Sequence, residues 1–456
     1  MLTNLLNRIR KQGFSVVQQV MVLLACAASL LSSQVLLPAA ALIVVAWLMR
    51  WLVSRGKFRG AIAATPADLS IVLLMGMAAV SLLITPLPEL TRPPVLRLFI
   101  GIATYYAVAE ATAHFLPSSS ASGSSSRAVL LLISLTLIGT ALAVIAPFSV
   151  DWYANKGFIP AQVYSRFIVL LSDSVHPNVM GGTRALFLPF SLALILFFWP
   201  RMSALTRVAA LVATGGMLLI LVLTQSRSAY AALAASALCL GLLRLAMNHP
   251  RAARSIGIAA LIGLGFVLAG LVLQLPPFDA PVATTEGIDA TVAGRIEIWS
   301  RGIYMVQDFP FTGIGMGLHP KLIEVMYPYF INPVPLLHAH NLFLQVAVDL
   351  GLPGLITWLA TLIITLTCAV SLYRRGLRSA TVWQAGLGAG LIASQLALVV
   401  GGLTDAVTWG SIRTAPLVWI IWGVAVGSWM QAYAPQQANA PQIPNQPEPQ
   451  ASEAAG

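Results

Sequence analysis

Residues 338–372 read HAHNLFLQVAVDLGLPGLITWLATLIITLTCAVSL. From Leu342 onward the run is almost wholly apolar, and Asp349 is its one acidic or basic residue. A helix rises about 1.5 Å per residue, so roughly 20 such residues cross the hydrocarbon core of a bilayer. This stretch therefore dictates a membrane helix. Its mouth is His338-Ala339-His340-Asn341, and Gly351-Leu352-Pro353-Gly354 follows after nine residues. A histidine side chain titrates near neutral pH, so at a helix mouth it is able to exchange a proton under working conditions.

The rest of the chain repeats the pattern. Of 456 residues, 58% are hydrophobic and 9% charged, with a mean hydropathy of +0.84. That composition excludes a soluble domain. Long apolar runs favour helices over the short alternating strands of a barrel. The sequence predicts an all-α polytopic membrane protein with about twelve spans, near 16–31, 35–53, 67–86, 94–116, 127–147, 179–199, 204–224, 227–247, 255–275, 340–372, 380–402 and 413–431.

Charge orients these spans. With the N-terminus in the cytoplasm, short cytoplasmic loops hold sixteen of the 26 Lys and Arg, among them Arg8, Arg50, Arg201, Arg251 and Arg374. The positive-inside rule is obeyed, and both termini fall in the cytoplasm. On the outer side acids balance bases. The net charge of +11 is thus a topology signal and gives no support to nucleic-acid binding. Cys26, Cys239 and Cys368 fall in separate spans, too dispersed for a disulfide framework or a metal site.

Residues 1–15 read as a cytoplasmic N-terminus, 16–431 as one membrane domain, and 432–456 as a disordered cytoplasmic tail rich in Pro, Gln and Ala. Outer loops are expected at 148–178 and 276–339, and a Ser-rich cytoplasmic loop at 117–127. Within the largest loop, Ala293–Asp308 reads as a helix, with Arg295, Trp299, Gly302 and Val306 on one face. Phe309-Pro310 stops it, and Gly313, Gly315 and Gly317 predict a flexible turn. That glycine run lacks the strand–helix setting of a dinucleotide loop.

Ionisable groups within or beside spans are costly unless they face protein or water. Arg97, Arg184, Arg227, His338, His340, Asn341, Asp349, Asp405 and Arg413 gather at the outer ends. Arg227, in Gln225-Ser226-Arg227-Ser228, reads either as an interfacial side chain reaching to the headgroups or as an anion clamp, since guanidinium pairs with phosphate oxygens. Arg295 follows Gly294, Arg184 follows Gly181-Gly182-Thr183, and Arg97 follows Pro93-Pro94; Arg301 is a weaker candidate. A metal at His338 and His340 needs further ligands, and His176 and His319 are remote in sequence.

These pieces resemble the O-antigen ligase superfamily, which includes O-antigen polymerases. The resemblance rests on His340-Asn341, the nine residues, and Gly351-x-x-Gly354. Gly294-Arg295 with Trp299, Pro310-x-x-Gly313-x-Gly315 and Ser226-Arg227 support it. It covers residues 180–372 best. Leu355 stands where the ligase pattern tends to have a small or β-branched residue, which weakens ligase against polymerase. The resemblance implies a GT-C-like, metal-independent glycosyltransferase without cofactor in the bacterial cytoplasmic membrane, its site facing the periplasm. The donor would be a glycan on undecaprenyl pyrophosphate. The acceptor would be the lipid A core or, for a polymerase, another lipid-linked saccharide. His340 is then the candidate base, with His338 as its alternate or as a donor in the acceptor site, and Asp405 either orients the histidine or binds a sugar hydroxyl. Arg227, Arg295, Arg184 and Arg97 would hold the pyrophosphate, and Asn341, Trp299 and Arg301 support the site. A transporter or flippase is the rival class; it predicts polar groups at mid-membrane and repeated halves.

Overall fold

The computed structural model of the chain describes residues 2–53, 64–114, 121–152, 159–167, 175–273, 288–329, 337–379 and 381–433. The expected tail from 434 onward lies outside the described residues, as do 276–287 and 330–336 of the largest loop. Among the described residues the structure is all-helical, with one isolated bridge joining Val150 and Val175.

Each predicted span falls on one helix: α1 (Leu2–Leu31), α2 (Leu36–Val53), α3 (Asp68–Ile84), α4 (Pro88–His114), α5 (Ala121–Ser149), α7 (Pro177–Phe198), α8 (Ala204–Leu223), α9 (Arg227–Ala246), α10 (Pro250–Leu273), α13 (Leu342–Arg378), α14 (Val382–Gly402) and α15 (Pro416–Tyr433). Between them lie α6 (Ala161–Tyr164), α11 (Ile288–Asp308) and α12 (His319–Val325). Among the described residues, seven helices are long and apolar enough to cross a membrane by length and composition, and stretches in α1, α2 and α3 are shorter apolar helices. α1 and α5 start ahead of their predicted spans; the serines expected in a loop from 121 on belong to α5. Serine costs a helix only a few tenths of a kcal/mol per residue, too little to stop one that an apolar run continues.

α14 lies at the centre, against α5, α7, α9 and α13, while α15 packs on α4 and α13. α8 turns Leu205, Val208, Leu211, Val212 and Leu219 outward, an apolar surface suited to lipid and not to water. Inside, hydroxyls serve as interhelical bonds: Ser394 Oγ donates to the Leu186 carbonyl, and Thr361 Oγ1 to Ser70 Oγ. At the end opposite the site, Arg50 of α2 donates to both Glu110 oxygens on α4, and Ser15 of α1 joins them.

α13 is broken. Gly351 has φ 71° and ψ −179°, a region open almost only to glycine. The break removes the partners of nearby helical carbonyls, and the glycine loop supplies new ones. Ile314 N–H donates to the Val348 carbonyl (2.8 Å), Gly315 N–H to that of Asp349 (3.2 Å), and Leu352 N–H to that of Pro310 (2.7 Å). The turn expected to be flexible is therefore pinned. Gly313, Gly315 and Gly317 all have positive φ, and a Cβ at Gly313 would lie 2.5 Å from the backbone of Asp349 and Leu350. The face of α11 read from the sequence packs here as well: a Cβ on Gly302 would meet Leu344 of α13. Gly351→Ala is expected to cost about 1–3 kcal/mol from backbone strain alone, and its Cβ would also crowd the Phe311 backbone at 2.7 Å. The melting temperature of the detergent-solubilised variant measures this; a wild-type value would show that the break is not locked.

Candidate functional site

The site forms where α7, α9 and α13 begin and α14 ends. Asn341 caps α13: its Oδ1 accepts from Leu344 N–H (3.0 Å), and its Nδ2 donates to the Leu403 carbonyl (3.0 Å). The cap thus ties the histidine segment to the loop that carries Asp405. Gln345, one turn on, accepts from Ala339 N–H at 2.7 Å, fixing the residue between the two histidines. Gln345 Nε2 also donates to Asp349 Oδ1 (2.9 Å), and Trp409 Nε1 donates to Asp349 Oδ2 (2.9 Å). Gly182 of α7 lies against Val407, and no Cβ would fit between them.

These restraints converge on Asp405, whose side chain is 3% exposed. His340 Nδ1 lies 3.3 Å and His338 Nε2 3.7 Å from its Oδ1. Ala406 N–H donates to the same oxygen (2.9 Å), and Asn178 Nδ2 donates to Oδ2 (3.2 Å). Asn178 is held at the start of α7, where its N–H donates to His176 Nδ1. His340 adopts φ 47°, left-handed and uncommon for a non-glycine residue. The two imidazoles meet edge to face with centroids 4.5 Å apart.

The hydrogen bonds assign the tautomers. His338 Nδ1 accepts from His340 N–H (3.2 Å), so the His338 ring proton sits on Nε2, facing Asp405. His340 turns Nδ1–H to the carboxylate. Its Nε2 therefore points away from Asp405 with a lone pair, on a side chain that is 25% exposed. Burial pulls the His338 imidazole down to about 4; His340 and His176 add to this and Asp405 opposes it. Burial pushes the Asp405 carboxyl up. The hydrogen bond from His340, the charges of both histidines and the Ala406 N–H outweigh that and hold it below its usual range.

The sign for stability follows. Between the ordinary histidine value of 6.5 and about 4, the unfolded chain binds a proton that folded His338 refuses. Stability therefore falls as pH falls through that window, by up to about 3 kcal/mol. His338→Gln is expected to flatten the melting temperature between pH 6.5 and 4, measured on the purified protein.

His338, His340 and Asp405 also offer ligand atoms within 4.8 Å of one another, a three-ligand set that a divalent ion could use. The sequence reading lacked the third ligand because Asp405 is 65 residues beyond His340.

The expected arginines divide. Arg295 reaches the loop, its Nη1 donating to the Thr404 carbonyl (2.9 Å), next to Asp405. Arg227 is exposed at the start of α9, and the adjacent Ser228 lines a small pocket with Asp405. Arg97 instead lines a cavity of about 290 Å³ beside His338. Arg184 is fully buried in α7; its Nη2 touches Met180 Sδ, and it lines neither pocket. Trp299 is half-buried on α11, and Arg301 donates to the Pro328 carbonyl and stands over the Tyr304 ring. Asn178, Gln345 and Trp409 join the site without being among the residues expected from the sequence. Asp349 and Arg413 stood out in the sequence only as costly polar groups near spans. The Gln345–Asp349 spacing of four, on the helix that follows the histidines, was the available signal.

A polytopic all-helical membrane protein with a carboxylate-oriented histidine at one end of its bundle is the class these features define. Residues 212–359 match the family described as O-antigen ligase, so this stretch is similar to that family. That stretch contains Arg227, Arg295, His338 and His340, while Asp405, Asn178 and Arg97 lie outside it. Over an alignment of 222 positions the chain is 25% identical to "Exopolysaccharide production protein ExoQ" of Rhizobium meliloti (strain 1021), covering 44% of this chain and 51% of that protein. The chain thus matches about half the length of this curated relative.

Proposed function

We propose that the protein transfers a glycan from a polyprenyl-pyrophosphate-linked donor to an acceptor saccharide at the non-cytoplasmic face of the bacterial cytoplasmic membrane. The observation that carries the proposal is His340 Nδ1 lying 3.3 Å from a buried, hydrogen-bonded Asp405. His340 Nε2 takes the proton of the acceptor hydroxyl as that oxygen bonds to the anomeric carbon. The bond from that carbon to the pyrophosphate oxygen breaks, and its electron pair leaves with the pyrophosphate. Direct displacement inverts the anomeric centre. Arg227 and Arg295 stabilise the leaving charge, the work that fixed cations do in such sites. Asp405 holds the tautomer and balances the imidazolium. A metal is not needed for these steps, and one bound at His340 Nδ1 would displace the hydrogen bond to Asp405.

The test is transfer from a synthetic polyprenyl-pyrophosphate glycan by purified protein in nanodiscs, with and without EDTA. Chelator-resistant transfer is expected; inhibition reversed by a divalent ion would overturn the metal-free mechanism. Arg227→Ala and Arg295→Ala should lower kcat/KM for the donor about 10²–10³-fold, with Lys restoring only part.

The lipid A core is the acceptor of the ligase reading. The polymerase reading, with a second lipid-linked glycan as acceptor, is favoured by Leu355 and by the exopolysaccharide production named for the relative. Gels of a deletion strain separate them: loss of a polymerase leaves single repeats, whereas loss of a ligase leaves long chains on the carrier lipid.

A further inference from the structure

The cavity beside His338 is not accounted for by donor binding. It measures about 290 Å³, and Arg97, Arg413, His338, Gln345, Asp349 and Trp409 line it. Two basic neighbourhoods therefore meet the histidine cluster through different members. Arg295 bonds the residue before Asp405, and Ser228, next to Arg227, shares a pocket with Asp405. Arg97 and Arg413 share the cavity with His338. A transferase must seat two substrates, so two such neighbourhoods have two occupants to serve.

The chemistry of the lining narrows the occupant. Arg97 and Arg413 are 3% and 7% exposed. Burying guanidinium groups at a bilayer edge is costly, so a cavity wall is where they would be retained for a ligand. Arg97 donates to the Ser411 carbonyl and Ser33 Oγ, both at 2.7 Å, and Arg413 to the Leu31 carbonyl at 3.2 Å. Among the described residues the lining carries two guanidinium groups and one carboxyl. Both oxygens of that carboxyl, Asp349, already accept from the neutral donors Gln345 and Trp409. The described wall is thus net positive, with an indole and an amide beside it. Apolar surface with a few convergent polar groups suits a small polar ligand such as a sugar ring, and the paired guanidiniums suit a phosphate or carboxylate upon it.

We propose that this cavity is the acceptor subsite and that it selects a saccharide bearing an anionic group, phosphate or carboxylate. Arg97 and Arg413 grip the anion, Trp409 walls the ring, and His338 Nε2–H donates to a ring substituent. His338 is suited to donating because its Nδ1 is already occupied by His340 N–H. The assignment rests on the transferase reading for the word acceptor, but the binding it asserts is measurable without turnover.

The experiment uses the full chain in nanodiscs and reads the shift in melting temperature with four probes: glucose 6-phosphate, glucuronate, glucose and inorganic pyrophosphate. Glucose 6-phosphate or glucuronate should stabilise the protein and glucose should not; the stronger of the two names the anion. Arg413→Gln and Arg97→Gln should abolish the shift. Arg413→Lys, which keeps the charge without the fork, should retain part of it and guards against misfolding of the Gln variants. In turnover, Arg413→Gln should raise KM for an anionic acceptor about tenfold or more while donor KM stays unchanged. A pyrophosphate shift larger than that of either sugar, lost in the same variants, or a rise in donor KM, would make the cavity the leaving-group site and overturn the proposal. So would an absent sugar shift, or one insensitive to both arginines. A wild-type protein that binds the anionic sugar but transfers no glycan would refute the transferase reading and leave the binding site standing.

Discussion

His340→Ala is expected to lower kcat for glycan transfer about 10²–10⁴-fold, the range that a positioned general base contributes. Donor KM should change little, because the proposed mechanism puts the pyrophosphate contacts on Arg227 and Arg295. The expectation follows from the orientation of one ring. Asp405 takes Nδ1–H at 3.3 Å, so Nε2 is the nitrogen left to receive the acceptor proton. His338 does not substitute for it: its Nδ1 accepts the His340 backbone N–H, and its Nε2 already carries the proton. A folding defect must be separated from a catalytic one, since residue 340 has φ 47°, where alanine is strained. His340→Asn meets this need, because asparagine tolerates the left-handed region and offers no comparable base. Both variants should show this loss of kcat at near wild-type yield. Full transfer by the Asn variant, or a larger loss from His338→Gln than from either, would move the base away from His340.

Much of this was legible in the residues. The twelve apolar runs fall on twelve helices because in a bilayer each helix satisfies its own backbone, so span length alone nearly fixes the element. The His340-to-Gly354 stretch carries the break in α13 for a physical reason: Gly351 needs a conformation that other residues avoid, and the half-helix before it begins at the histidines. What the sequence concealed is tertiary. Nothing local says that Gly313 and Gly315 dock on Val348 to Leu350, so three glycines in a row of alternate positions looked flexible. Asn178 reaches Asp405 across 227 positions, a meeting made by α7 packing on α14. The arginines were also sorted only in space. Arg97, Arg184, Arg227 and Arg295 look alike as outer-end guanidiniums, yet they lie in a cavity wall, a helix interior, an exposed helix start and a loop contact.

Asp405→Asn is expected to reduce kcat by a similar order, about 10²–10⁴-fold, by the logic of a carboxylate that fixes a base and balances its charge. The substitution keeps the shape and removes two things. One is the negative charge that stabilises imidazolium as the proton arrives at His340. The other is acceptor capacity. Oδ1 of Asp405 faces His340 Nδ1 and the Ala406 N–H, and Oδ2 faces Asn178 Nδ2. An amide has one oxygen, so its NH₂ group must oppose one of these donors. If it opposes His340, the imidazole turns or changes tautomer and its lone pair leaves the acceptor side. If it opposes Asn178, that side chain must flip. Asn178→Ala should therefore cost far less than Asp405→Asn. The pH dependence of stability adds a check that a packing role would not move. The folded carboxyl lies below its ordinary range, so its stabilisation is complete above that range and is lost as pH falls through the folded value; the Asn variant should lack this acid-side loss. The decisive measurement is the double variant. If Asp405 acts through His340, adding Asp405→Asn to His340→Ala should cost little more than His340→Ala alone, because groups that work as a unit are strongly non-additive. Two independent, multiplying losses would instead put Asp405 on the substrate, where a divalent ion or a sugar hydroxyl would be its partner.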